Sequence, residues 1–374
     1  MRPLRLLVPA NIRHNSGGNV YNARLVEGLR ALGAEVEVLP VEGSWPESTA
    51  KERRRLGSHI GAWEPEAGPG EPVAIVDGLV AVGVPDELEF AAKAGQETWV
   101  LVHMPVPEES GAGSLEREAR ALRAATGVIC TSSWAADVLK KRHGLRGLRV
   151  ALPGTDRAPL AEGSVPPHII TVAALLPNKD QVLVVEALAR IRELEWTAAL
   201  VGSDQADPDY AGRVRAAVAR HGLEDRIRIA GERKGQDLED EWNRADLSVL
   251  VSKAEAFGMV VTEALAHGIP VVVRAGTGAV EALSFAAPEQ GKSGTLPGTA
   301  VHFEGTDGPE GDSPEGPTLL AAVLRGWLQE TITRDAWRAA ALETRDRLPG
   351  WDQPARLVLE AVSKNWPQNS PGQS

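Results

Sequence analysis

The feature that most restricts this chain is a pattern that occurs twice: a short apolar run, a glycine or polar turn, then an amphipathic stretch. Parallel βαβ units read this way, because their strands are buried on both faces and each crossover is a helix. In the first half the strand candidates are residues 4–8, 35–39, 73–76, 98–102, 127–130 and 149–152, with helical stretches such as 20–32 and 115–125 between them. In the second half, 168–173, 197–201, 226–229, 247–251 and 270–273 alternate with helical stretches at 181–193, 208–221, 238–244 and 259–267. Residues 157–167, RAPLAEGSVPP, have three prolines, a glycine and no periodicity, which predicts an interdomain linker. A strand at 299–303 is expected next, then a Gly/Pro-rich loop at 305–317, helices at 319–329 and 334–347, and a disordered tail from 366. Ligand chemistry in such sheets belongs at the carboxyl ends of the strands, so the turns after strands are where to look for it.

Length and composition agree with two α/β domains of doubly wound parallel sheet. The chain has 374 residues, too many for one ordinary core, with 43% hydrophobic and 24% charged residues. No run approaches the roughly 18 to 20 apolar residues that span a bilayer. The N-terminal MRPLRLLVPA has too short an apolar stretch for a signal peptide, and no small-residue cleavage site follows it. It reads as a first strand, and the expected location is cytoplasmic. The lone Cys130 excludes an intramolecular disulfide and a cysteine metal site, and its apolar setting predicts a buried strand residue. A net charge of −11 argues against a nucleic-acid partner. The basic run 51–55, KERRR, reads as a solvated helix face, with peripheral contact to a membrane headgroup or an anionic acceptor left open.

The most informative stretch is 251–270, VSKAEAFGMVVTEALAHGIP. A strand ends near Val251, a polar turn follows, and Phe257-Gly258 opens a helix that carries Glu263. A helix N-terminus presents unpaired N–H groups and a positive dipole end, which suit a diphosphate. Gly258 lets the backbone approach closely. A carboxylate before the helix, Glu255, can accept hydrogen bonds from sugar hydroxyls, and one inside it, Glu263, from a ribose diol. Taken alone, two glutamates at this spacing read as a dipole-complementing charge and a salt-bridge partner.

The surrounding text makes the reading specific. Glu255, Phe257, Gly258, Glu263, Ala264, Ala266, Gly268, Pro270, Val271 and Val272, followed by the turn Gly276-Thr277-Gly278-Ala279-Val280-Glu281, resemble the donor-site signature of glycosyltransferase family 4, the retaining group 1 glycosyltransferases. The resemblance runs along most of the chain. Asn15-Ser16-Gly17-Gly18 is similar to the family's first glycine-rich loop, and His103 stands where the family places an active-site histidine. Thr131-Ser132-Ser133-Trp134 and Pro153-Gly154-Thr155-Asp156 resemble its markers of the sixth-strand region and the domain hinge. Trp351-Asp352 resembles the start of the helix that crosses back to the first domain.

The resemblance implies a GT-B fold, two Rossmann-like domains facing a cleft. The first, an acceptor domain, would span 1–160 with a returning helix at about 350–365, and the second, a donor domain, 165–348. It implies transfer of a hexose-type sugar, with retention, from a UDP- or GDP-sugar to an acceptor hydroxyl of unread type, with no metal and no cofactor. By position, Glu255 would hold the transferred sugar and Glu263 the ribose. Backbone groups of Phe257, Gly258, Met259 and Val260 would touch sugar or phosphate, and Gly17 and Gly18 would approach the diphosphate. His103 would lie near the reacting sugar, Lys179 would neutralise the leaving diphosphate, and Gly231-Glu232-Arg233 would border the base. Trp45 and Trp63 are candidates for an acceptor wall or for packing.

One departure stands out. The family usually pairs the lysine with an arginine five residues earlier, where this chain has Ala174, so the expected second cation is one of Arg13, Arg233, Lys234, Arg274 or Lys292. The alternative is a catalytically impaired sugar-nucleotide-binding partner subunit. A 2-epimerase would carry a different carboxylate set. A phosphorylase of this fold would need a pyridoxal-phosphate lysine and a much longer chain.

Overall fold

In a computed structural model, residues 2–11, 16–64, 70–285, 295–303 and 315–363 are described. The chain divides into two compact units, Met1–Gly154 with Pro349–Ser374, and Thr155–Leu348. Arg13, Asn15, Lys292, most of the 305–317 loop and the tail from 366 lie outside the described residues.

The first unit is built on six parallel strands: β1 (Leu4–Pro9), β2 (Val36–Val41), β3 (Val73–Asp77), β4 (Thr98–Val102), β5 (Gly127–Cys130) and β6 (Arg149–Val150). Their order is β2-β1-β3-β4-β5-β6, so the winding reverses between β1 and β3. Strands β3 and β4 are buried at every position, as their unbroken apolar runs require. Cys130 is buried, and burial pushes its thiol up to about 12. The helix Asp352–Ser363 packs on the helix Gly17–Ala31 within this unit. Gly28 makes the close approach feasible: a Cβ there would come within 2.9 Å of the Ala355 Cβ and 3.0 Å of the Trp351 carbonyl.

The second unit repeats the plan with β7 (His168–Val172), β8 (Thr197–Val201), β9 (Ile227–Gly231), β10 (Leu247–Leu250), β11 (Val271–Arg274) and β12 (Gly298–Val301). The order is β12-β11-β10-β7-β8-β9, with the reversal between β7 and β10. Strands in the middle of such a sheet have helices on both faces, and the two helices flanking the reversal point diverge to opposite faces. That divergence leaves a crevice at the carboxyl ends of the two strands.

One expectation fails. The proline-containing segment expected as a linker is strapped to the second unit. Ala161 N–H donates to the His267 carbonyl (3.0 Å), and Glu162 and Gly163 N–H both donate to the Asn243 carbonyl (2.9 Å each). Ser164 N–H donates to the Asp246 carboxylate. Local composition signals absence of helix and strand but carries no information about such long-range backbone partners. For Trp45 the packing alternative holds: it is buried in the first unit's core, and its indole N–H donates to the Val41 carbonyl (2.9 Å). Trp63 remains 46% exposed, close to Gly57 and Phe90. Among the described residues no helix is long and apolar enough to cross a membrane.

Candidate functional site

The carboxyl ends of β7 and β10 flank the reversal point of the second sheet, and the loops after them carry Lys179 and Glu255. After β7 the chain makes one 3-10 turn, Pro177–Lys179, and Asp180 adopts a left-handed conformation (φ 56°) before the helix Gln181–Ala189. The loop after β10 is tied to that turn by the Lys253 N–H, which donates to the Asn178 carbonyl (2.7 Å). The tie brings the two side chains together. Lys179 Nζ lies 2.7 Å from Glu255 Oε2, with side-chain exposures of 22% and 15%. A partly shielded cation and anion in hydrogen-bond contact can serve a ligand that bears both phosphate and hydroxyl groups.

Gly258 follows at φ 84°, as the N-cap of the helix Met259–Ala266. Phe257 is buried and meets Phe285 edge-on, so its backbone, not its ring, is available to a ligand. Met259 and Val260 are half-buried, and their amides belong to the first turn, where helical acceptors are lacking. Glu263 lies one turn further in. Burial raises its carboxyl from the ordinary 4.5 to about 7, and the charges of Asp156 and Glu239 add to the effect. Among the described residues its carboxylate has no hydrogen-bond partner.

The glycine-containing turn after β11 clamps this loop. Gly278 N–H donates to the Glu255 carbonyl (2.7 Å), and a Cβ at Gly278 would stand 1.7 Å from the Ala256 carbonyl oxygen. Gly278→Ala is therefore expected to displace the Glu255 loop. The expected cost is about 1–3 kcal/mol of overpacking, a drop of roughly 3–10 °C in Tm, together with weaker binding of any ligand at Glu255. An alanine variant with unchanged Tm would show that the clamp is not tight.

Of the expected second cations, Arg274 is committed elsewhere. It is buried, pairs with Asp180 at 2.6 Å, donates from Nε to the Val251 carbonyl and stacks over Phe303 at 4.4 Å. Charge compensation by a neighbouring carboxylate is what lets a guanidinium be buried there. Gly231 (φ 72°) ends β9 and leads to exposed Arg233 and to Lys234, which pairs with Glu232 (3.2 Å). This group follows β9 at the sheet's edge, two strands beyond β7. Asp207, within the acidic string 204–209, caps the helix Pro208–Arg220 through the Tyr210 amide.

In the first unit the reversal point lies between β1 and β3. Gly17 and Gly18 open the helix after β1, with Ser16 capping it through the Asn19 amide. A Cβ on Gly18 would stand 3.2 Å from His103 Cδ2, so the glycine admits the ring. His103 follows β4 and meets two side chains that the sequence reading passed over. Its Nε2 is 2.9 Å from Asn22 Oδ1 and 3.3 Å from Asp77 Oδ2. The available signal for Asp77 was a lone carboxylate closing an apolar parallel strand, VAIVD. Asn22 had none, because a polar residue in a helix reads as solvent-facing.

Residues 154–287 match the family model of the glycosyl transferases group 1. Mannosylfructose-phosphate synthase of Agrobacterium fabrum is 30% identical over 182 residues, 42% of this chain and 39% of that protein. The chain spans less than half the length of the curated relatives it matches. Among solved structures, sucrose-phosphate synthase from Thermosynechococcus elongatus superposes with a TM-score of 0.73 at 19% identity, covering 97% of this chain and 98% of that one. Anabaena HepE in complex with UDP and glucose gives 0.70 at 17%, covering 97% and 100%. At such identity the likeness is one of fold, and the fold is GT-B.

Proposed function

We propose that this chain is a retaining glycosyltransferase that moves a hexose-type sugar from a UDP- or GDP-sugar to an acceptor hydroxyl. The observation that carries the reading is the Lys179–Glu255 pair at 2.7 Å, set at the reversal point beside the helix that opens at Gly258. A nucleotide sugar presents a diphosphate and a polyhydroxyl ring side by side, which a cation and a carboxylate in contact can both engage. The unpartnered carboxylate of Glu263 suits a ribose diol. The group 1 domain at 154–287, the synthase relative and the UDP-bound structural neighbour support the same class.

In the proposed reaction the acceptor oxygen bonds to the anomeric carbon on the face from which the diphosphate oxygen departs. The acceptor's proton passes to that diphosphate oxygen. Lys179 and the N-terminal amides of the helix Met259–Ala266 stabilise the departing charge. Glu255 holds the sugar hydroxyls, and no side chain of the chain is assigned as a covalent nucleophile. The chain acts in the cytoplasm.

The test is thermal-shift binding of UDP, GDP and ADP, then hydrolysis and transfer with the matching sugars. One uridine or guanosine diphosphate at a hundred times its Kd should stabilise the protein by about 2.7 kcal/mol, roughly 5–10 °C in Tm. The anomeric configuration of the donor should survive in the transfer product, read by NMR coupling constants. No stabilisation by any nucleotide at millimolar concentration would sink the reading.

A further inference from the structure

Three polar side chains converge at the carboxyl edge of the first unit's sheet, and their hydrogen-bonding order is determined by chemistry alone. Asp77 is 4% exposed and closes β3. Its Oδ1 accepts the Leu79 amide (2.9 Å), capping the short helix that follows, and its Oδ2 accepts Asn22 Nδ2 (3.1 Å). A carboxylate that accepts on both oxygens leaves Asn22 no choice of amide orientation: the NH₂ must face Asp77. Asn22, itself 5% exposed, therefore turns its Oδ1 to His103. An amide oxygen can only accept, so the proton of a neutral His103 ring must sit on Nε2.

We propose that Asp77 and Asn22 are positioning residues that lock His103 as the Nε2–H tautomer, so that Nδ1 meets the substrate as a hydrogen-bond acceptor. The other surroundings of the ring fit a fixed part. Tyr21 abuts it edge-on with centroids 5.3 Å apart, and its hydroxyl is spent on the Ala151 carbonyl (2.8 Å). Gly18 lies against the Cδ2 side, opposite in the ring to Nδ1. Among the described residues, Nδ1 has no protein partner. A nitrogen lone pair held in one direction selects a hydroxyl donor, and on the transferase reading, on which this step rests, that donor is a hydroxyl of the sugar. Proton placement on one ring nitrogen is set by what the other nitrogen meets, a general device for orienting histidines in active sites.

The test uses the full chain labelled with ¹⁵N-histidine, with His103 signals identified as those missing in His103→Gln. Long-range ¹⁵N–¹H correlation at pH 8.5 should show a protonated Nε2 and a bare Nδ1, and an Nδ1–H tautomer in the wild type would overturn the proposal. In Asp77→Asn the new amide can face Asn22 either way, so the two tautomers should mix. Donor turnover should fall about tenfold or more in kcat while the donor KM moves less than about threefold. Unchanged tautomer in that variant, or mixing without loss of turnover, would also overturn it. If Asp77→Asn fails to fold, Asp77→Ser, which removes the carboxylate that orients Asn22 and itself lies 3.3 Å from Nε2, carries the same expectations. A wild type that turns over no nucleotide sugar would defeat the transferase reading, and the NMR measurements would still decide the tautomer.

Discussion

Lys179→Ala is expected to lower donor turnover by about 10²- to 10³-fold, chiefly in kcat. The reasoning starts from the ion pair. In the free protein Lys179 is held at 2.7 Å by Glu255, and the Lys253–Asn178 backbone tie fixes the two loops that carry them. The ammonium is therefore in place before a donor arrives, and little reorganisation is needed when the diphosphate gains charge on departure. Ala174 and the Asp180–Arg274 pair sharpen the expectation. The Arg274 guanidinium is already paired with a carboxylate, so Lys179 is expected to carry most of the load. Lys179→Arg should rescue only in part, since a longer, planar guanidinium pairs with Glu255 in a forked geometry that does not put its charge where the ammonium stands. Steady-state kinetics on the hydrolysis of the preferred donor checks this. A loss under about fivefold in kcat, or a loss confined to KM, would mean that Lys179 binds substrate and transition state alike.

Much of the fold was legible because each sheet is parallel and covered on both faces, so its strands appear as unbroken apolar runs such as VAIVD and TWVLV. The loop after β10 was legible for a different reason. Its residues lie within one short stretch, and Gly258 adopts the positive φ that makes glycine recognisable there. The failures share a cause. Arg274 is separated from Asp180 by 94 positions, and Ala161 from its carbonyl partner at His267 by 106, so neither local composition nor spacing could pair them. Trp45 looked like a loop aromatic because its indole acceptor is a backbone carbonyl, a group without sequence identity. Asp77 and Asn22 form a contact 55 positions apart between a strand end and a helix. Only the doubly wound topology, which sets the helix after β1 beside the end of β3, makes it.

Glu263→Gln is expected to make the free protein more stable at pH 8 while removing its response to nucleotide. The folded carboxyl is lifted from 4.5 to about 7, first by burial and then by the charges of Asp156 and Glu239. Between those two pH values the folded state keeps a proton that the unfolded chain releases, so stability falls as pH rises through the window and levels off above it. On a half-buried side chain the shift corresponds to at most about 3 kcal/mol. Glutamine reproduces the protonated shape and never ionises. The variant's Tm should therefore exceed that of the wild type by roughly 5–10 °C at pH 8 and match it near pH 4.5. Taking this difference cancels the titrating groups that do not interact with Glu263, leaving out only its neighbours Asp156 and Glu239. On the proposed assignment to the ribose, the same substitution leaves one acceptor oxygen where two would face the diol, so the Tm increase caused by nucleotide should shrink or vanish. A gain in stability coupled to a loss of binding marks a residue kept for its ligand rather than for the fold. If Glu263→Gln were instead less stable at pH 8, the carboxylate would have a cationic partner in the free protein, and its assignment to the ribose would have to be given up.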